Sequence, residues 1–238
     1  MQEQPQATTG FQKYVFKATA SALSGSVRTP YFQLLGDHAA ITTYAGSAGH
    51  IMAISRGFAL GADISYVEAT SEIRAEVEDP IYQMIIRSHI KNLRIGTRVS
   101  VEEVVCRIRA RYDRRDFEVR KMPRLSPAGS TIRNLRIDDQ IQEIKLPSAF
   151  TMDEQEEDAF LEGKLDDPAR FFPDTTPTPF FVAGLGAIFP AEWTWKHPQE
   201  KHRQSLCMLR MALGGDPGVM LDVCCCGGDG GGWPPFGL

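Results

Sequence analysis

The sequence predicts a mostly antiparallel all-β fold, a large sandwich or barrel with one short acidic helix. Three observations predict it. Apolar and polar residues alternate with a period of two in at least five separate runs, which is typical of half-buried strands. Gly, Pro and Asp punctuate the chain between those runs, as in sandwiches and barrels. A helical capping pattern occurs convincingly in one segment only.

The first strands are rich in small residues. The run from Tyr14 places Tyr14, Phe16, Ala18, Ala20 and Ala22 on one face, which predicts a strand packed closely against another sheet. Residues 66–78 alternate strictly, with acidic side chains and Arg74 on one face. The opposite face of that strand is predicted to be buried and consists of Val67, Ala69, Ser71, Ile73, Ala75 and Val77.

Later runs extend the same pattern. Residues 104–112 put apolar side chains on one face and three arginines on the other. Residues 180–189 are apolar on both faces, which predicts a strand buried on both sides. The segments 206–213 and 219–223 are further predicted strands.

A six-residue motif occurs twice. Residues 90–95 (IKNLRI) and 132–137 (IRNLRI) are identical at five of six positions, and the sixth exchanges Lys for Arg. Each copy is followed by three residues that are polar or glycine and then by an apolar residue, Val99 or Ile141. We interpret them as two similar hairpins of one sheet, since two copies are too few for a solenoid.

The predicted helix begins with a capping box, in which Thr151 is the N-cap and Glu154 the third helical residue, and Gly163 is its expected stop. Prolines beyond it form an extended linker. The predicted organisation is a β-rich domain (1–150), the acidic helix and Pro-rich linker (151–179), C-terminal strands that complete the same domain (180–226) and a flexible Gly-rich tail (227–238).

Composition disfavours several classes of protein. A net charge of −4 argues against a dedicated nucleic-acid binder, so nucleic acid is an unlikely partner. The sequence contains no apolar run long enough for a spanning helix and shows no secretory signal, so we expect no membrane association. Five cysteines, three of them adjacent, make a poor disulfide framework and are expected to be thiols in the cytoplasm.

Charge is segregated along the chain. Residues 105–124 hold eight basic and three acidic groups, whereas residues 150–174 hold nine acidic and two basic groups. These two segments are predicted to pair with each other, within or between chains. The row Arg107, Arg109 and Arg111 is also a candidate anion-binding or nucleic-acid surface, with a solvated or acid-paired strand face as the preferred interpretation.

Other candidate sites are weaker. His197 and His202 with Cys224 and Cys226 have the residue types of a zinc site, but adjacent cysteines alternate faces, so we expect no metal. Trp193 and Trp195 belong to the densest aromatic cluster and are candidate ligand-binding residues or core.

The function expected from these features is a non-catalytic interaction or assembly protein that uses strand edges to bind a protein partner or a second copy of itself. No cofactor is expected. The alternative is a small-ligand-binding barrel or a hydrolase-type enzyme with a histidine-containing site. An enzyme should bring two histidines, or a histidine and a carboxylate, within hydrogen-bonding distance.

Overall fold

The structure is a computed structural model. It describes residues 15–28, 32–45, 48–61, 63–78, 80–113, 124–165, 178–195, 204–214 and 220–233. The first strands are β1 (Val15–Arg28), β2 (Phe32–His38), β3 (Ile41–Ala45), β4 (Gly49–Leu60), β5 (Ile64–Glu78), β6 (Ile81–Ile95) and β7 (Val99–Asp113). Four short strands follow, β8 (Arg124–Ser126), β9 (Thr131–Arg133), β10 (Arg136–Ile137) and β11 (Gln140–Ile141). A 3-10 turn (Ser148–Phe150) and helix α1 (Glu154–Leu161) precede β12 (Phe180–Val182), β13 (Gly186–Trp195), β14 (Gln204–Gly214) and β15 (Met220–Trp233).

The strands form two antiparallel sheets. Sheet A has the order β12-β13-β14-β15-β1-β2, and β3 also pairs with β1. Sheet B has the order β11-β10-β7-β6-β5-β4, and β8 and β9 also pair with β7. The two sheets pack face to face through β1, β14 and β15 on one side and β5, β6 and β7 on the other. The all-β prediction is confirmed, and the architecture is a sandwich rather than a closed barrel.

The core lies between the sheets and depends on small residues in sheet A. Ala18, Ala20 and Ala22 of β1 are buried, as the alternation predicts. Sheet B contributes larger aliphatic side chains to the same core, among them Ile73, Ile86, Ile90 and Ile108, which are also fully buried. Pairing small residues with large ones across the interface keeps the two sheets close without leaving voids.

The Gly-rich segment 227–232 is part of β15, which lies between β14 and β1 in sheet A. The prediction of a flexible tail is therefore wrong for residues 227–233, and residues 234–238 lie outside the described structure. A Cβ added at Gly228 would lie 3.2 Å from side-chain atoms of both Ile86 and Ile108. Glycines are well placed in this strand because the second sheet packs tightly over it. The glycine content of a sequence does not by itself distinguish such a packed strand from a flexible segment.

Two other strand predictions need correction. Residues 180–189 are not one buried strand, because a turn at 183–185 separates β12 from β13 and leaves Phe181 81% exposed. In β5 the predicted buried face holds for Ala69, Ser71 and Ile73, but Val67 is 58% exposed. The burial parity reverses there, since Tyr66 and Ala69 are both buried although they are three residues apart.

The two copies of the repeated motif flank β7. The first copy ends β6 and the second spans β9 and β10, so β7 pairs with one copy on each side. Equivalent positions meet the same residue: Lys91 and Arg133 both lie opposite Glu103. Asn92 and Asn134, the shared asparagines, have left-handed φ angles of 52° and 50°. The prediction of two similar hairpins in one sheet is confirmed, and the two copies run parallel to each other on either side of β7.

Helix α1 lies close to its predicted position. Its N-cap is Asp153, whose carboxylate accepts a hydrogen bond from the Glu156 amide at 2.8 Å, so the prediction of Thr151 is wrong by two residues. Thr151 ends the preceding 3-10 turn instead. The predicted stop is confirmed, because Gly163 has a φ of +77° and its amide bonds the Phe160 carbonyl, as in a glycine-terminated helix.

Candidate functional site

Strand β4 forms an open edge of sheet B. It pairs with β5 on one side only, and at 12 residues it is the longest edge strand in the described part of the chain. Three of the eight large apolar side chains that are exposed in the described residues belong to it, namely Ile51, Met52 and Ile54. A long, apolar strand with a free edge offers backbone donors and acceptors to another strand.

The outward row of β4 combines apolar and charged side chains. Met52 and Ile54 are 51% and 50% exposed, and they lie between His50 and Arg56. The His50 imidazole lies 2.9 Å from a carboxylate oxygen of Glu72 on β5. The Arg56 side chain, 71% exposed, donates to Glu68 on β5 at 3.2 Å. The apolar pair thus lies between two polar side chains that each contact a glutamate of the next strand.

A row of alternating charges crosses sheet B at the Arg56 position. Arg56, Glu68, Lys91, Glu103 and Arg133 occupy neighbouring strands at one register. Glu68 accepts hydrogen bonds from Arg56 and Lys91 at 3.2 Å each, and Glu103 accepts one from Arg133 at 3.0 Å. Hydrogen bonds from Lys91 and Arg56 lower the pKa of Glu68. This charge ladder ends at the open edge with a cation.

The other half of the same face is covered by α1. Arg107 donates two hydrogen bonds to Glu157, at 2.6 and 3.1 Å. Arg109 bonds Glu157 at 3.2 Å and Asp158 at 2.7 Å, and Arg111 bonds Glu162 at 2.5 Å. The predicted pairing of the basic and acidic segments is confirmed within one chain. All three guanidinium groups of the candidate anion surface therefore already bind carboxylates, and the acid-paired interpretation describes them.

Among the histidines that the structure describes, His38 has both a hydrogen bond to a side chain and aromatic contacts. Its Nδ1 lies 3.0 Å from the Tyr66 hydroxyl, which lies 2.7 Å from the Ser55 hydroxyl. The His38 ring packs against Phe58 with centroids 4.1 Å apart, and Phe58 stacks on Tyr66. Burial lowers the pKa of His38, although Asp37 opposes that shift. The neutral imidazole can accept the tyrosine proton, and the group joins β2 of sheet A to β4 and β5 of sheet B.

The expected mark of an enzyme, a histidine within reach of a carboxylate, occurs twice on sheet B. His50 lies 2.9 Å from Glu72, and His89 lies 2.9 Å from Glu103. Burial lowers the pKa of His89, against the opposing effect of Glu103. Glu103 also binds Arg133, so this contact belongs to the charge ladder. These contacts meet the criterion but do not distinguish an enzyme from an interaction protein, because hydrogen bonds between side chains of neighbouring strands account for both.

The cysteines differ from the prediction of five thiols. Cys207 and Cys224 form a disulfide that joins β14 to β15, with Cα atoms 5.9 Å apart. Cys226 has a left-handed φ of 54°, which breaks the alternation, so Cys225 and Cys226 are both fully buried. Burial raises the pKa of the Cys106 thiol to about 12 and raises the pKa of Cys225 and Cys226 as well. Such thiols are poor nucleophiles at neutral pH.

The candidate zinc ligands do not form a set that the structure supports. Cys224 is oxidised, and a disulfide sulfur is not a thiolate ligand. Cys226 donates to the Val104 carbonyl at 3.1 Å inside the core. His197 and His202 lie outside the described residues. In the described residues, no group of three or more His, Cys, Asp or Glu side chains is placed to hold a metal ion.

The two candidate tryptophans lie on β13. Trp193 is half-buried and packs against the core. Trp195 ends the strand, and its side chain lies outside the described part of the structure. In the part of the chain that is described, no helix has the length and apolar character needed to cross a membrane.

Residues 14–176 match the family model described as "Domain of unknown function (DUF8256)". The chain belongs to this family. The DUF8256 match includes all of sheet B and α1, hence β4, the charge ladder and the arginine contacts with α1, together with β1–β3 of sheet A. No curated protein and no solved structure matches the chain.

Sequence reasoning missed the open edge. The run from Gly49 to Leu60 shows an apolar and polar mixture without strict alternation, because Gly57 has a left-handed φ of 65° and shifts the pattern. The signal that could have found it is the aliphatic series Ile51, Met52 and Ile54 followed by Arg56, within a segment that lacks proline and lysine.

Proposed function

We propose that this protein is a non-catalytic interaction or assembly module, and that its docking element is the open edge of β4. The observation that carries the proposal is the exposure of Met52 and Ile54 on a 12-residue strand paired on one side. The other described edge strands are shorter: β2 has seven residues, β3 has five, β8, β9 and β12 have three each, and β11 has two. Proteins commonly protect edges with short strands, so a long apolar edge suggests a surface kept for a partner strand.

Two further observations support a protein partner. The arginine row, the best candidate for binding phosphate, is bound by carboxylates of α1, so nucleic acid remains an unlikely partner. The buried thiols are not activated nucleophiles, since burial raises the pKa of each.

The Cys207–Cys224 disulfide counts against the cytoplasmic location proposed from the cysteine content, because disulfides are rare in reducing compartments.

The proposal can be tested with a labelled synthetic peptide of alternating Val and Thr, which can add to a free strand edge without a specific motif. Binding is followed by fluorescence anisotropy for the parent protein and for the double variant Met52→Lys, Ile54→Lys. We expect binding to the parent and a loss of at least about tenfold in affinity for the variant, since lysines disfavour edge pairing. The matched control is Val67→Lys, which removes an equally exposed apolar side chain from β5, a strand with two neighbours.

Two results would overturn the proposal. One is a peptide that fails to bind, or that binds the parent and the β4 variant equally. The other is turnover in a screen of esters, phosphate esters and glycosides that is lost in His38→Gln. That second result would favour the alternative function, an enzyme that uses the hydrogen-bonded chain of His38, Tyr66 and Ser55.

A further inference from the structure

We infer that the strand that docks on β4 is β4 of a second copy of this chain, antiparallel, with Ala53 next to the twofold axis. The inference rests on the proposed function and adds the identity of the partner and the register. Identical subunits most often associate through a closed twofold axis. Two copies of one edge strand satisfy that symmetry only when they run antiparallel and each residue pair is repeated on the other side of the axis.

The outward row of β4 selects the register. In an antiparallel pair, residues directly opposite each other share a face, so a twofold axis perpendicular to the sheet passes beside one residue. With Ala53 at the axis, Met52 lies opposite the partner's Ile54, and Ile54 lies opposite the partner's Met52. The two exposed aliphatic side chains of each copy then cover those of the other, and both lose contact with water.

The charges agree with the same register. Arg56 then lies opposite the partner's His50, whose imidazole binds the partner's Glu72. Arg56, the cation at the end of the charge ladder, therefore lies opposite a histidine that contacts the partner's Glu72 carboxylate. With Ile54 at the axis instead, Arg56 would lie opposite the partner's Met52, and a charge would cover an apolar side chain at both ends of the contact. Placing Met52 at the axis would set Ile54 against the partner's His50 and separate the aliphatic pair.

The inner face of β4 is compatible with this arrangement. Ala53 is half-buried and small, so two copies can meet at the axis without a steric clash. Ile51, which is 44% exposed on this face, lies opposite the partner's Ser55. Pairing joins two copies of sheet B into one continuous sheet, and the charge ladders of the two copies run toward the same junction from opposite sides.

Cysteine crosslinking tests the register directly. Ala53→Cys places two thiols opposite each other, where Cα atoms about 4.5–5.5 Å apart fall within the range of a disulfide. A mild oxidant should then give a covalent dimer in high yield. Ile51→Cys is the matched control, because its two thiols would be about 13 Å apart along the strands at about 3.3 Å per residue. The parent protein, whose described free thiols are buried, should give no dimer under the same oxidant.

Light scattering after size-exclusion chromatography, over a dilution series, tests the association itself. We expect a dimer that dissociates on dilution, is lost in Met52→Lys, Ile54→Lys and persists in Val67→Lys. Arg56→Glu should also weaken the dimer by bringing two carboxylates together, and adding Glu72→Lys should restore it.

A dimer that crosslinks at Ile54→Cys and not at Ala53→Cys would overturn the register. A parent protein that stays monomeric would overturn the second copy as the partner. If that monomer still bound the alternating Val and Thr peptide through β4, the proposed function would stand while this inference fails. A monomer that bound no peptide would overturn both the proposed function and the inference that a second copy is the partner.

Discussion

Glu157 is the residue whose loss should most clearly disturb the packing of α1 on sheet B. Its side chain is 5% exposed, and its two carboxylate oxygens accept three hydrogen bonds, two from Arg107 and one from Arg109. In Glu157→Gln the amide oxygen can still accept from one arginine. The amide NH₂ group, however, faces a guanidinium N–H, and two donors then oppose each other in a nearly dry site.

The expected loss in the free energy of unfolding depends on the hydrogen-bond acceptors that the two arginines keep after the substitution. Breaking a buried ion pair by removing one partner costs about 3–5 kcal/mol. Both arginines keep other acceptors, since Arg107 also bonds the Ala128 carbonyl at 2.7 Å and Arg109 bonds Asp158 at 2.7 Å. We therefore expect the low end, a loss of about 3 kcal/mol in the free energy of unfolding. For a chain of this size that corresponds to about 6–12 °C in Tm.

Urea denaturation of the parent and of Glu157→Gln, at low and at high salt, measures this loss. The matched control is Glu156→Gln, an exposed neighbour on the same helix, which should cost less than about 1 kcal/mol. Because Glu157 is buried, its effect should persist at high salt, where exposed pairs are screened. A loss below about 1 kcal/mol, or one that vanishes at high salt, would show that these contacts behave as surface ion pairs and would refute the reasoning.

Three further predictions concern the core and the junction between the sheets. Because burial lowers the pKa of His38 below the unfolded value of about 6.5, the unfolded chain takes up the proton first. Stability should therefore fall as the pH drops below about 6.5, and His38→Gln should make that fall shallower in urea denaturation; an unchanged slope would contradict it. Gly228→Val should lower the free energy of unfolding by about 1–3 kcal/mol by overpacking the core, whereas Gly36→Val on the exposed face of β2 should not, and equal effects would refute the packing argument. Replacing Cys207 and Cys224 with alanine should cost about 2–4 kcal/mol, and titration of the denatured parent should find three free thiols; five would disprove the bond.

Patterns of residue type and charge along the sequence predicted three features of the structure: a buried strand face, an ion-paired contact and the end of a helix. Alternation identified the buried face of β5 over residues 69–73, because burial of one face imposes a period of two, but it failed at Val77, which is 40% exposed. The charge of residues 105–124 and 150–174 predicted the contact between Arg107 and Glu157, since two opposite, concentrated segments in one chain lower their energy by pairing. Gly163 marked the end of α1 because few other residues tolerate its backbone conformation.

Features set by distant strands were missed or misread. Gly228 suggested a mobile tail, and only its position opposite Ile86 and Ile108 of the other sheet shows why a side chain is excluded. Cys207 and Cys224 are 17 residues apart, and the pairing of β14 with β15 brings them together. His197 and His202 lie outside the described structure. The expectation that they bind no metal therefore stays a prediction.

The two sides of sheet B differ in the length of their edge strands. The two copies of the repeated motif flank β7 and place Lys91 and Arg133 opposite the same residue, Glu103, so on that side the charge ladder ends at Arg133 on the three-residue strand β9. Beyond β9 and β10 the sheet ends in the two-residue strand β11, and α1 covers the adjoining outer face. On the opposite side the ladder ends at Arg56, on a strand four to six times longer than those short edge strands and without a covering helix in the described residues. The contrast between short strands at one edge of sheet B and a long, partly apolar strand at the other is the observation on which the proposed partner strand depends.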